Sequence, residues 1–360
     1  MRAGRRGAMS LPAVTRQHNV RAMADARTLI VSHDDVERLL PMPDCIDLMA
    51  EALATTARGG AVLPLRQMVM LPGGRNLLAV MPAALEGAGG SSAIGAKVIT
   101  VFPDNAESPY DSHIGVVLYF DDTHGRLLAI IDASSVTAIR TAAVSGAATR
   151  LLALPDASDL AILGAGVQAM SHLEAMLAVR PIARVRLWSR SAARCVTFAG
   201  WAQRRFGVTV EVCDSAESAV RDAQVVCTVT ASREPVLRGA WLSPGVHVNA
   251  AGAALPTTRE LDTQAVVQSR LFVDRTESAL REAGDFLIPR GEGAIGDAHI
   301  LGELGALVTG ALRGRERPDD RTLFKSLGLA VEDVAAARFI HERAVADGSG
   351  TWVNIGGLRP

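Results

Sequence analysis

Residues 159–172 read DLAILGAGVQAMSH, and no other stretch limits the fold as much. An apolar run meets a glycine turn and the opening of a helix. Gly164, Gly166 and Ala169 make a G-x-G-x-x-A pattern in the strand–turn–helix context that dinucleotide binding requires. Gly164 permits the tight turn, Gly166 lets the backbone approach a pyrophosphate, and Ala169 lets helix and sheet pack closely. The helix start adds N–H donors and a partial positive charge. Alone the motif is weak. Here it begins an alternation of apolar strands (RVRLWSR, VTVEVC, AQVVCTVTA, VHVNAAG, RLFVDR) with helical segments such as SAESAVRD and TRELDTQAVVQ. That alternation predicts an α/β fold, a Rossmann-type doubly wound parallel sheet over residues 149–321.

The second strand of this unit selects the nucleotide. NAD-binding versions end it in Asp or Glu, which holds the ribose hydroxyls. This strand ends LWSRS, with Ser189, Arg190 and Ser191. A cation between two hydroxyls suits a 2′-phosphate, so NADPH is expected rather than NADH.

Before the alternation, residues 28–148 read as α+β. Ser32 and Asp44 are candidate caps for two helices, the second stopped by Gly59-Gly60. The strands LRQMVML, NLLAVMPA, IGAKVITVF, HIGVVLYFDD and RLLAIIDA follow, with hairpin signals PGGRN and DTHG between some of them. A helix rich in small residues then runs from Ser134-Ser135 to Pro155. After the alternation, LFKSLGLAVEDVAAARFIHERAVA has helical periodicity and is expected to follow the finished parallel sheet and return to the first domain. The second domain is therefore discontinuous, residues 28–148 plus 322–360. The basic segment 1–27 lacks an apolar h-region and reads as a tail, not a secretory signal.

The totals exclude several classes. A chain of 360 residues suits two domains, and a net charge of −1 gives nucleic acid or an acidic membrane surface no hold. No apolar run is long enough to span a membrane. The histidines show no metal-ligand spacing, so no metal is expected. Cys45, Cys195, Cys213 and Cys227 form no C-x-x-C pair and read as free thiols of a reducing, cytoplasmic compartment.

Three cations sit in apolar surroundings: Arg66 in LPLRQMVML, Lys97 in AIGAKVITVF, and Arg140 early in the small-residue helix. A buried cation is costly unless paired. Each alone is equally compatible with a side chain turned to water; together they suggest a carboxylate pocket, for which Arg offers a bidentate fork. His113 is a further candidate, with a satisfied core histidine as its alternative.

With these pieces assembled, residues 28–357 resemble the ornithine cyclodeaminase/mu-crystallin family. The resemblance rests on ILGAGVQA, IRTAAVS, EPVLRGAWLSPGVHVNAAGA, RELD, AGDFL, GELG and FKSLGLAVEDVAAA, and it is greatest to the mu-crystallin and ketimine reductase branch. It implies a homodimer joined through the substrate domain. It implies that Arg66, Lys97 and Arg140 surround the substrate carboxylate and imine, and that Glu282 faces the pocket. Ser112 and His113 match a pair near the nicotinamide. Ala165, Val167, Gln168, Ser189, Arg190, Ser191, Thr230, Ala251 and Ser326 match cofactor contacts. Cyclodeaminases carry an aspartate where this chain has Ala254, so the resemblance favours NADPH-dependent reduction of a cyclic ketimine, Δ1-pyrroline-2-carboxylate or Δ1-piperideine-2-carboxylate. The glycine-rich segment EGAIGDAHILGELG is a candidate lid. The alternatives are an amino acid dehydrogenase or cyclodeaminase-type activity, and a non-catalytic NADPH-dependent binder of small molecules.

Overall fold

A computed structural model describes residues 27–74, 76–87 and 90–357. The basic segment 1–26 and residues 358–360 lie outside the described residues. The first sheet begins with β1 (Thr28–Val31), β2 (Ala61–Val62), β3 (Gln67–Met70), β4 (Leu77–Glu86), β5 (Ser92–Val101), β6 (His113–Phe120) and β7 (Leu127–Asp132). The second sheet holds β8 (Asp159–Leu163), β9 (Arg184–Trp188), β10 (Val210–Val212), β11 (Val225–Thr228), β12 (His247–Ala250), β13 (Arg270–Val273), β14 (Ile300–Glu303) and β15 (Thr322–Lys325). β16 (Thr351–Val353) returns to the first sheet beside β1.

The first sheet runs β16-β1-β7-β6-β5-β4-β2, with β3 also on β4; all its pairs are antiparallel except β1 with β7. The second, β10-β9-β8-β11-β12-β15-β13-β14, is wholly parallel. The order reverses between β8 and β11, which makes a crevice at their carboxyl ends. The chain is thus an α/β protein with a doubly wound parallel sheet. The Ala133–Leu152 helix leaves the first sheet and packs on the Val167–Val179 helix that follows the glycine turn. Its small residues allow close packing on two sides: a Cβ at Gly146 would lie 3.6 Å from Ala175 of that helix and 2.9 Å from Ile46 of the Met42–Ala57 helix. One apolar core runs from the first sheet through these helices to one face of the second, and another fills the opposite face around Val248, Leu271 and Phe286.

Several local expectations are corrected. Residues 322–325 are not the head of the last helix but strand β15, buried on both faces between β12 and β13; the helix is Ala330–Asp347. Asp44 does not cap its helix, which begins at Met42 behind Pro41; Pro presets the first turn, and Asp44 instead accepts from Arg343 at 2.6 Å. LRQMVML is a strand only over Gln67–Met70, exposed throughout, with Arg66 just before it. In TRELDTQAVVQ only Thr263–Val267 is helical, because the amides of Glu260 and Leu261 bond the Asp285 carboxylate instead. The candidate lid is half built into the sheet: Ile300–Glu303 pairs with β13, and a short helix follows.

Candidate active site

The strand ends set the cofactor side. Leu163 pairs with Thr228, Thr228 with Ala250, and Ala250 with Lys325, so β8, β11, β12 and β15 end in one row. Gly164 to Ala169, Thr230, Ala251 and Ser326 emerge just beyond it. Gly164 has φ +122°, and a Cβ there would lie 2.8 Å from the Val229 carbonyl oxygen, so only glycine makes this turn. Gly166 starts the helix without a side-chain cap, and a Cβ there would meet nothing within 4 Å. The first helical amides therefore face open space, as an anion needs. Ala165 and Ala169 are buried under the turn, and Val167 is exposed above it.

Gln168 Nε2 donates to the Thr137 carbonyl at 3.3 Å, but Gln168 Oε1 and Ser326 Oγ are buried without a hydrogen-bond partner among the described residues. Leaving such atoms unpaired costs about 1–3 kcal/mol each. Open amides and orphaned polar atoms in one crevice fit a dinucleotide. At the end of β9, Ser191 caps the next helix, Ser189 sits beside it, and Arg190 is exposed with no ion-pair partner among the described residues. That leaves its guanidinium available to a phosphate.

The turn after β12 is held from behind. Glu260, wholly buried, accepts from Gly252 N at 2.8 Å, Thr228 Oγ1 at 2.9 Å, and both Thr230 N and Oγ1. Lys325 donates to the Ala253 carbonyl and pairs with Asp285 at 2.9 Å. Burial raises the Glu260 carboxyl, and the nearby Lys325 opposes that rise. The turn residues Ala251, Gly252, Ala253 and Ala254 offer no acid or base of their own.

The basic residues form two linked groups. Lys97, on β5 and 2% exposed, lies 2.9 and 2.8 Å from the two Asp333 oxygens and 3.3 Å from Thr137 Oγ1. Arg140 donates from Nε to the same Asp333 at 3.0 Å and from a terminal nitrogen to Glu332 at 2.9 Å. Burial, then the charge of Arg140, pushes Lys97 down to about 8, against the pull of Asp333. Burial pushes Glu332 up to about 7 despite Arg140. Arg66 pairs through Nε with Glu282 at 2.9 Å and donates to the Leu327 and Gly328 carbonyls at 2.8 and 3.2 Å. Gly328 joins the groups. Its φ is +78°, and a Cβ would lie 2.4 Å from an Arg140 terminal nitrogen.

A cavity lies beside Arg66, walled by Leu65, Met81, Ser278, Gly328 and Ala330. Lys97 and Arg140 are not among its walls, but Gly328, which is one, lies against the Arg140 guanidinium. Ser112 and His113 stand at the start of β6, 2.9 Å apart, on the accessible side. Surrounding protein, then the charges of Lys97 and Arg140, lowers the His113 imidazole pKa.

Sequence reasoning missed the acids. Glu332 and Asp333 in the last helix, Asp274 (whose carboxylate accepts from the Leu327 and Gly328 amides), Glu260 and Asp285 were not singled out. The available signal was complementarity: buried cations require buried anions, and VEDVAAA sets two acids in an apolar run.

The family model for the ornithine cyclodeaminase/mu-crystallin family matches residues 26–348. The ketimine reductase mu-crystallin of Mus musculus is 40% identical over 284 residues, 79% of this chain and 86% of the relative. A Δ1-pyrroline-2-carboxylate reductase of Bacillus cereus is 36% identical over 328 residues, 91% of this chain and all of the relative. Among solved structures, the Thermococcus litoralis Δ1-pyrroline-2-carboxylate reductase in complex with NADH and L-proline superposes with a TM-score of 0.87 at 35% identity, over 90% of this chain and 99% of that one.

Proposed function

The chain belongs to the ornithine cyclodeaminase/mu-crystallin family, and from that premise we propose that it reduces a cyclic ketimine carboxylate, Δ1-pyrroline-2-carboxylate or Δ1-piperideine-2-carboxylate, to L-proline or L-pipecolate with NADPH. It is a nicotinamide-dependent oxidoreductase acting on a C=N bond. The observation that carries the substrate reading is the pairing of two features. Three cations gather around Gly328 and Asp333, while the turn at Ala251–Ala254 is empty of acids.

A carboxylate next to an imine asks little more of the protein. Arg66 and Arg140 clamp the carboxylate with guanidinium nitrogens not already bonded to Glu282, Glu332 or Asp333. Lys97, protonated at neutral pH with its pKa at about 8, stands by the imine nitrogen and passes it the proton that makes the iminium, Lys97 itself becoming a neutral amine. Gln168, Thr230, Ala251 and Ser326 hold the cofactor, with Ser112 and His113 at its nicotinamide end. A bound nicotinamide cofactor supplies the hydride for the imine carbon. The alanine turn leaves room for two rings, and orientation then provides much of the rate. Ring closure with loss of ammonia would call for an acid/base group where Ala254 stands.

Arg190 supports NADPH. Losing a charged hydrogen bond costs about 1.5–3 kcal/mol, so Arg190→Ala should lower the NADPH-to-NADH preference at least about tenfold in kcat/KM. The exposed apolar β3, with Met68, Val69 and Met70, supports a homodimer contact. Four free cysteines, three of them buried, support a reducing, cytoplasmic setting. No helix among the described residues is long and apolar enough to cross a membrane. The test is NADPH oxidation with five- and six-membered ketimines. Turnover that Arg66→Ala greatly reduces supports the reading; an Arg66→Ala enzyme with wild-type kcat/KM overturns it.

A further inference from the structure

Two cations from different elements meet on one carboxylate. Lys97 comes from the middle of β5 and Arg140 from the Ala133–Leu152 helix, yet both bond Asp333 in the first turn of the Ala330–Asp347 helix. That helix packs across β4, β5 and β6, so Asp333 is fully buried above the sheet. Arg140 has a second anion in Glu332; among the described residues Lys97 has no other carboxylate in contact. Arg140, Arg66 and His113 also couple to Lys97, and none of them stabilises an ammonium.

We infer that Asp333 is the positioning residue of the reaction: it fixes Lys97 and Arg140 relative to one another and keeps the Lys97 amine in its ammonium form for the ketimine. The inference rests on the ketimine reading for its kinetic consequence but not for its electrostatic one. Burial and Arg140 disfavour the ammonium, and Asp333 opposes both through charge and hydrogen bond. Without that carboxylate the ammonium gives up its proton at lower pH.

The chain has only two lysines, Lys97 and Lys325. Protein labelled with 13C at the lysine Cε therefore gives two side-chain signals, and Lys325 serves as an internal control. In Asp333→Asn the Lys97 titration should move down by at least about one pH unit while Lys325 stays, and the alkaline limb of kcat/KM should follow, with KM raised. A Lys97 titration unchanged in folded Asp333→Asn protein overturns the inference. So does an unmoved kinetic limb, which would belong to the substrate imine. Asp333→Glu keeps the charge but displaces it by one methylene. It should retain the Lys97 titration and raise KM, and wild-type KM and kcat there overturn the positional claim even if Asp333→Asn does not fold. A wild-type enzyme inert toward ketimines defeats the substrate reading, and the titration shift still decides the role of Asp333.

Discussion

Both lysines of the chain are buried, at 2% and 1% exposure, and both pair with an aspartate, but they do different work. Around Lys325 the bonding closes on itself. Asp285 also takes the Glu260 and Leu261 amides, Glu260 takes Thr228, Thr230 and Gly252, and Lys325 takes the Ala253 carbonyl. Most of these partners are main chain of the turns at the strand ends. Around Lys97 the bonding stays open. Glu332 Oε1 has no hydrogen-bond or ion-pair partner among the described residues, and Arg66 borders a cavity. Burial alone does not mark a site. Bonding capacity left over inside a buried cluster does, because protein that keeps it unused accepts a cost a ligand can remove.

The largest effects should separate the clusters. Truncating one partner of a buried charge pair costs about 2–5 kcal/mol, so Lys97→Ala should lower kcat/KM by tens to thousands of fold, with binding of the reduced nicotinamide cofactor by fluorescence titration retained. Lys325→Ala should instead lose about 3–5 kcal/mol of folding stability in urea. A stable but inactive Lys325→Ala protein would break the contrast by making Lys325 part of the site.

A smaller effect sharpens it through pH. His172 and His247, buried in the parallel half, are held down to about 4 and about 3, chiefly by burial. The unfolded chain therefore takes up protons first as pH falls below about 6.5, and each histidine removes stability at up to about 1.4 kcal/mol per pH unit. Glu332 acts oppositely. Its folded carboxyl is raised from 4.5 to about 7, so the folded state holds the extra proton and stability falls as pH rises through that window. Urea titrations of wild type and Glu332→Gln should converge near pH 5 and diverge toward pH 7, with the variant favoured; parallel curves would remove Glu332 from the titrating set.

The glycine turn was readable because its signal is local. An apolar run, Gly164, Gly166 and a helix start lie within a dozen residues, and backbone sterics do the rest. Lys97 and Arg140 stood out because a cation in an apolar run needs an explanation. Glu332 and Asp333 did not, because acids in the first turn of a helix also suit the helix dipole and commonly face water.

What the chain itself determined was the alternation that makes a parallel sheet, the phosphate turn, the missing carboxylate after β9, and the alanines at 251 and 254. Each depends on a few neighbouring residues. Only tertiary structure made 322–325 a strand rather than a helix, since its hydrogen bonds go to β12 and β13, some 50 to 75 residues away in the chain. Only packing brought Asp333, 236 residues from Lys97, to within 2.8 Å of it. The partner of a buried charge is chosen by what the fold places beside it, and sequence distance carries no trace of that choice.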